Sequence, residues 1–214
     1  MMKSAMAVKV GITGTLGRGF VMAVCMVIWA FPQNGWAGGA TEAMKTTIDE
    51  VMRILKDQDL KQPAKASERR QLLEKVVGER FDYHEMSRRA LGAPWVKLSE
   101  DEKAEFVSSF KTLLVNSYAD KVEAYSGEGV QYINERTEKD YAEVRTKVLT
   151  GKTEIPLDYR LLYKGSVWRV YDVVVDGVSL VNNYRGQFSK ILRSGSYADL
   201  IDQLRKKSEK IRTP

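Results

Sequence analysis

Few side chains in this sequence could make or break a bond. His84 is the only histidine of the 214 residues and Cys25 the only cysteine. Neighbours on a helix point about 100° apart, so His84 and Glu85 do not converge on one metal or substrate. One histidine, and one cysteine lying inside an apolar N-terminal run, make a zinc centre and Ser-His-Asp or Cys-His catalysis poor readings of this sequence. No metal and no cofactor is expected. The remaining candidate is Asp172, set within an apolar strand sequence, where burial would raise a carboxyl pKa and suit it to acid-base work in a small cone-fold isomerase or hydratase. The plainer reading is favoured: Asp172 accepts hydrogen bonds from backbone, or from Arg169 or Arg185, and holds a turn.

Two glycine-rich strings look like nucleotide loops without their setting. Gly11, Gly14, Gly17 and Gly19 are preceded only by Val8-Lys9-Val10 and open no βαβ unit. Gly151-Lys152-Thr153 lacks the earlier glycine of a phosphate loop, since that position is Thr146, and it reads as a hairpin turn.

The elements that position these residues follow from hydrophobic spacing. From Thr41, the residues Met44, Ile48, Val51, Met52 and Leu55 recur on one helical face until Pro63 interrupts. Ser67 can cap a second helix that stops at Gly78, and a short third helix runs from about Asp82 to Gly92. Ser99 and Glu102 form a capping box. Behind them Phe106, Phe110, Leu113, Leu114, Tyr118, Val122 and Tyr125 keep helical spacing.

After Gly127 and Gly129 the period falls to two. Strands are expected over 130–135, 141–149, 155–163 and 167–175, joined by turns short enough to demand antiparallel pairing. Ala142, Val144, Thr146 and Val148 should face inward, as should Leu157, Tyr159 and Leu161; the strand 167–175 is apolar on both faces. A second turn at Asp176-Gly177 leads to helical spacing from Asn182, and a last helix begins at Ser196. The fold class is α+β: a curved antiparallel sheet of about four or five strands packed on helices.

Residues 1–40 differ from the rest. They hold Lys3, Lys9 and Arg18 and no acid, then the apolar run 20–30, then small residues. That run is too short to cross a bilayer, which takes about 20 residues, but it suits a cleavable export signal, with cleavage after Ala37 or Ala40. Residues 41–214 then form a single domain without a thiol. With the three leader cations set aside, 31 basic face 28 acidic side chains. No lysine or arginine block marks a nucleic-acid stripe, and the aromatics outside the leader lie on the long helix and the sheet.

The string Trp168-Arg-Val-Tyr-Asp172-Val-Val-Val-Asp-Gly177-Val-Ser179-Leu-Val-Asn-Asn-Tyr184-Arg185-Gly-Gln-Phe188 resembles the signature of the MlaC family, also called toluene-tolerance proteins. Phe81-Asp82 and Leu91-Gly92-Ala-Pro-Trp95 extend the resemblance, which covers most of residues 42–210. Related hopanoid-associated periplasmic proteins share the pattern. The resemblance implies a cone similar to the nuclear-transport-factor-2 fold with a hydrophobic cavity. It also implies a monomeric periplasmic phospholipid carrier that exchanges lipid with an outer-membrane lipoprotein complex and an inner-membrane ABC transporter complex, making and breaking no bond.

Such a carrier needs apolar walls. Each buried acyl methylene is worth about 0.8 kcal/mol, so two chains of roughly thirty methylenes represent on the order of 20 kcal/mol. The expected walls are Phe106, Phe110, Leu114 and Tyr118 of the long helix, opposing Val144, Val148, Tyr159, Leu161, Val173 and Val175 across the cone. Tyr184 and Phe188 would close one end. A polycyclic lipid such as a hopanoid is the alternative cargo, and an interaction module with a solid core the alternative without one.

Overall fold

The computed structural model describes residues 39–125, 129–151 and 153–212; the leader reading falls on residues 1–38, outside them. Four helices come first: α1 (Ala40–Lys56), α2 (Ala66–Arg80), α3 (Tyr83–Leu91) and α4 (Glu100–Glu123). The strands follow as β1 (Gly129–Glu138), β2 (Tyr141–Thr150), β3 (Thr153–Lys164), β4 (Val167–Val175) and β5 (Val178–Ser179). The helices α5 (Leu180–Ser194) and α6 (Tyr197–Arg212) end the order. The architecture is the expected α+β.

The five strands pair antiparallel in sequence order. The turns behave as their sequences require: Gly165 and Ser166 have φ of 59° and 65°, and Asp176 and Gly177 of 48° and 79°, the paired positive values that match strand twist in a two-residue hairpin. The ladder slips near Ile133 in β1 and near Tyr171 in β4, and such bulges bend a sheet.

Helix boundaries show where tertiary bonds outweigh local signals. Ser67 does not cap α2, which starts one residue earlier, and Gly78 does not stop it. Glycine in a helix costs about 1 kcal/mol. Against that, Arg80 in the last turn donates to the Thr47 hydroxyl at 2.8 Å and to the Trp168 carbonyl at 2.7 Å, tying α2 to α1 and β4. The Ser99–Glu102 capping box forms as expected, with bonds of 2.8 and 3.2 Å. The fifth helix begins at Leu180 rather than Asn182, because the Ser179 hydroxyl accepts the Asn182 N–H at 3.0 Å.

Apolar side chains gather in three clusters rather than one core. The first joins α3, α4, α5 and α6 around Phe106, Phe110, Leu113 and Phe188. The second seats α1 on the sheet, with Ala40 and Met44 against Val144, Leu161 and Val170. The third lies between α1 and α2, with Val122 and Tyr125 from the end of α4 against it.

Candidate functional site

The strand alternation places one row of side chains per strand on the face that α1 covers. Ala142, Val144, Tyr159, Leu161, Val170 and Val173 are buried there. Farther along the same rows the cover ends. Val130 pairs with Val148, Val148 with Ile155, and Leu157 with Val175, so these five lie side by side. All five are only partly buried. The inner face is thus sealed by a helix over one half and apolar but only partly buried over the other.

Two tyrosines stand at this boundary. The Tyr132 hydroxyl is buried with no hydrogen-bond partner among the described residues, and burial pushes its pKa up to about 12. Tyr159 is raised too, chiefly by burial. Beside the open rows, the Tyr125 hydroxyl takes the Gly129 N–H at 2.8 Å and donates to the Gly129 carbonyl at 2.7 Å, which ties the end of α4 to the first strand.

The twelve residues expected to form the walls separate into two groups. Val144, Tyr159, Leu161 and Val173 sit in the sheet cluster, with Val175 partly buried against it. Val148 is half-buried on the same face. Phe106, Phe110, Leu114, Tyr184 and Phe188 lie in the helical cluster, with Tyr118 at its margin. The expected opposition of long helix and sheet is therefore corrected. Phe106 and Phe110 meet Phe188 edge-on at 5.5 and 5.3 Å, and Phe110 meets Tyr184 at 5.0 Å. With 0 % and 1 % of their surface accessible, the two phenylalanines line no void. Periodicity shows that a helix face is buried; it does not show against what.

The titratable candidates are accounted for by structure. Asp172, 3 % exposed, accepts from Arg160 at 3.1 Å, from the Ser179 hydroxyl at 2.7 Å and from the Val181 N–H at 3.0 Å. Its partner is Arg160 across the ladder, not Arg169 or Arg185: Arg169 donates to the Glu79 carbonyl, and Arg185 lies against Gly92. These bonds tie β4 to the start of α5. His84 sets its ring edge on Trp95 at 5.1 Å. Two clefts built of described residues are lined mainly by arginines, a lysine and other polar groups, and neither contains any of the twelve.

A bent antiparallel sheet on helices, with part of its apolar inner face only partly buried, is a build suited to an apolar ligand. Comparison with known proteins agrees. The phospholipid-binding protein of Ralstonia solanacearum, solved in complex with a phospholipid, superposes with a TM-score of 0.71 at 26% identity, over 80% of this chain and 97% of that one. The intermembrane phospholipid transport system binding protein MlaC of Haemophilus influenzae is 24% identical over 125 residues, 54% of this chain and 57% of that protein. The match to this curated relative thus spans little more than half its length. The MlaC protein family model matches residues 45–206, and the chain belongs to that family.

Proposed function

We propose that this chain is a periplasmic phospholipid carrier, taking lipid between an outer-membrane lipoprotein complex and an inner-membrane ABC transporter complex and binding it without chemistry. The observation that carries the reading is the open half of the inner face. Val130, Val148, Ile155, Leu157 and Val175 form a contiguous apolar patch, which an isolated soluble domain has reason to cover. Acyl chains laid along it would complete a surface that the protein's own side chains leave unfinished. Tyr132, beside Thr146 in the pairing, offers a hydroxyl that an ester oxygen of the guest would satisfy.

This narrows the expected walls to Val148 and Val175 with their partly buried neighbours on the sheet, while Phe106, Phe110 and Phe188, and Tyr118 at their margin, belong to the helical cluster. The complex with phospholipid of the Ralstonia solanacearum protein supports the cargo class. Export would follow from the leader, cut after Ala37. Cleavage after Ala40 would remove the first residue of α1, which is wholly buried.

The test is direct. The protein is expressed from the full chain, purified from the periplasmic fraction without detergent, extracted with organic solvent and analysed by mass spectrometry. Phospholipid in stoichiometric amount is expected. Polycyclic lipid would change the cargo, and a chain free of any lipid after such isolation would end the carrier reading.

A further inference from the structure

On the face of the sheet away from α1, β3, β4, α3 and α5 enclose a cleft of about 500 Å³. Arg88, Arg89, Arg160 and Arg185 converge on it. It is separate from the open apolar patch, because Arg160 and Asp172 alternate in their strands with the inward-facing Tyr159, Leu161 and Val173.

The local charges do not balance. Glu85 holds Arg88 and Arg89, both within 2.6 Å of one carboxylate oxygen. Asp172 takes Arg160 at 3.1 Å, and Glu143 is shared between Arg145 at 2.8 Å and Arg160 at 3.5 Å. Arg185 is the fourth guanidinium lining the cleft, against the carboxylates of Glu85, Asp172 and the shared Glu143, which leaves positive charge in excess. The Arg185 guanidinium makes no hydrogen bond or ion pair with any described residue, nor does the side-chain amide of Asn182 beside it.

The arrangement is held in place before any ligand arrives. Arg89 stacks over the Tyr171 ring at 4.1 Å. Arg185 rests against Gly92, whose φ of 70° favours glycine and where a Cβ would stand 3.2 Å from the guanidinium. Ala93, Trp95 and Val96, the last 80 % exposed, give the cleft one apolar wall. Planar guanidiniums recognise phosphate oxygens in pairs, and unpaired donors lining a cleft beside other guanidiniums favour an oxyanion. The volume exceeds that of a bare phosphate, leaving room for the organic part of an ester along the apolar wall.

We infer that this cleft is a binding site for a phosphate ester, with Arg185 and Asn182 as its free donors. The site stands apart from lipid carriage: its failure leaves the carrier reading untouched, and failure of the carrier reading leaves the cleft. The ester can be a soluble molecule or a lipid headgroup at a membrane surface, and two arms separate them.

In the first arm, the protein purified from the full chain is titrated at constant ionic strength with inorganic phosphate and with glycerol 3-phosphate, followed by amide resonances of Gly92 and Asn182. In the second, it is sedimented with vesicles of phosphatidylglycerol in phosphatidylcholine. R185Q, which removes an exposed and unpartnered side chain, should melt at the native temperature and bind roughly tenfold more weakly or worse. N182D, which adds a carboxylate and deletes no contact, should weaken binding as well. Saturating shifts that R185Q weakens assign the site to soluble esters. Sedimentation that R185Q abolishes assigns it to headgroups. If neither probe binds saturably, or if R185Q and N182D bind as tightly as the native protein, the inference is overturned.

Discussion

The Glu135 carboxylate of β1 accepts the backbone N–H of Thr41 at 2.7 Å, joining residues 94 positions apart. The first N–H groups of a helix have no partner within it, and Gly39 at the N-cap has no side chain to offer one. A strand therefore caps α1 from outside, with a negative charge where the helix dipole favours one. That bond fixes where α1 crosses the sheet, and so which half of the inner face it seals.

Replacing Glu135 with Ala should cost about 1 kcal/mol in urea unfolding, as loss of a cap does. Burial pushes the carboxyl up, but the hydrogen bonds from Thr41, Thr137 and the Ala40 backbone together outweigh it and lower the pKa. A depressed folded value means stability present above the unfolded pKa of about 4.3 and lost as pH falls through the folded one. E135Q should keep most of the cap and lose that acid-side dependence. Equal stability of E135A and the native protein would remove the cap from the account.

Asp172 predicts a larger effect. Removing one member of a buried, hydrogen-bonded pair leaves the rest unsatisfied, so D172A should lose about 3 kcal/mol by thermal denaturation. S179A, which removes one donor to Asp172 and the cap of α5, should lose about 1 kcal/mol. A D172A protein as stable as the native one would return this carboxylate to the list of candidate acids.

What the sequence disclosed depended on the range of the interaction. The alternation of Ala142, Val144 and Thr146 with Glu143 and Arg145 is local, and the buried face of β2 follows from it. The Ser99–Glu102 box spans one turn and was equally visible. Asp172 showed itself as a buried acid, yet its partner is set by a ladder that slips at Tyr171, and no spacing rule points to Arg160. In β4 both faces are apolar, so only the fold decides that Val173 turns toward α1. The stripe of α4 was plain, but its partners on α5 and α6 lie about 70 to 100 residues later, and helical spacing carries no address.

Glu85 should dominate the acid limb of stability in the helical half. Burial raises its pKa, and the paired bonds from Arg88 and Arg89 overcome that and lower it. The contribution is in full force above the unfolded value of about 4.3 and disappears as pH falls through the lower folded one. E85Q should be less stable than the native protein at pH 7 and should close that gap on acidification. A constant gap between the two across the acid range would show that the carboxylate charge is not what stabilises α3.

The open half of the inner face and the closed helical cluster should respond oppositely to changes of volume. Val148 is half-buried beside Val130 and Ile155, so V148W has room to occupy the patch that acyl chains would cover. It should fold with a melting temperature near the native one and lose most of its extractable phospholipid. Phe110, 1 % exposed among Phe106, Tyr184 and Phe188, has no such room. F110A should leave a cavity costing about 3–5 kcal/mol, with lipid retained by whatever fraction stays folded. If F110A sheds lipid at unchanged stability while V148W keeps it, the guest lies between α4 and its helical neighbours and the sheet is only its support.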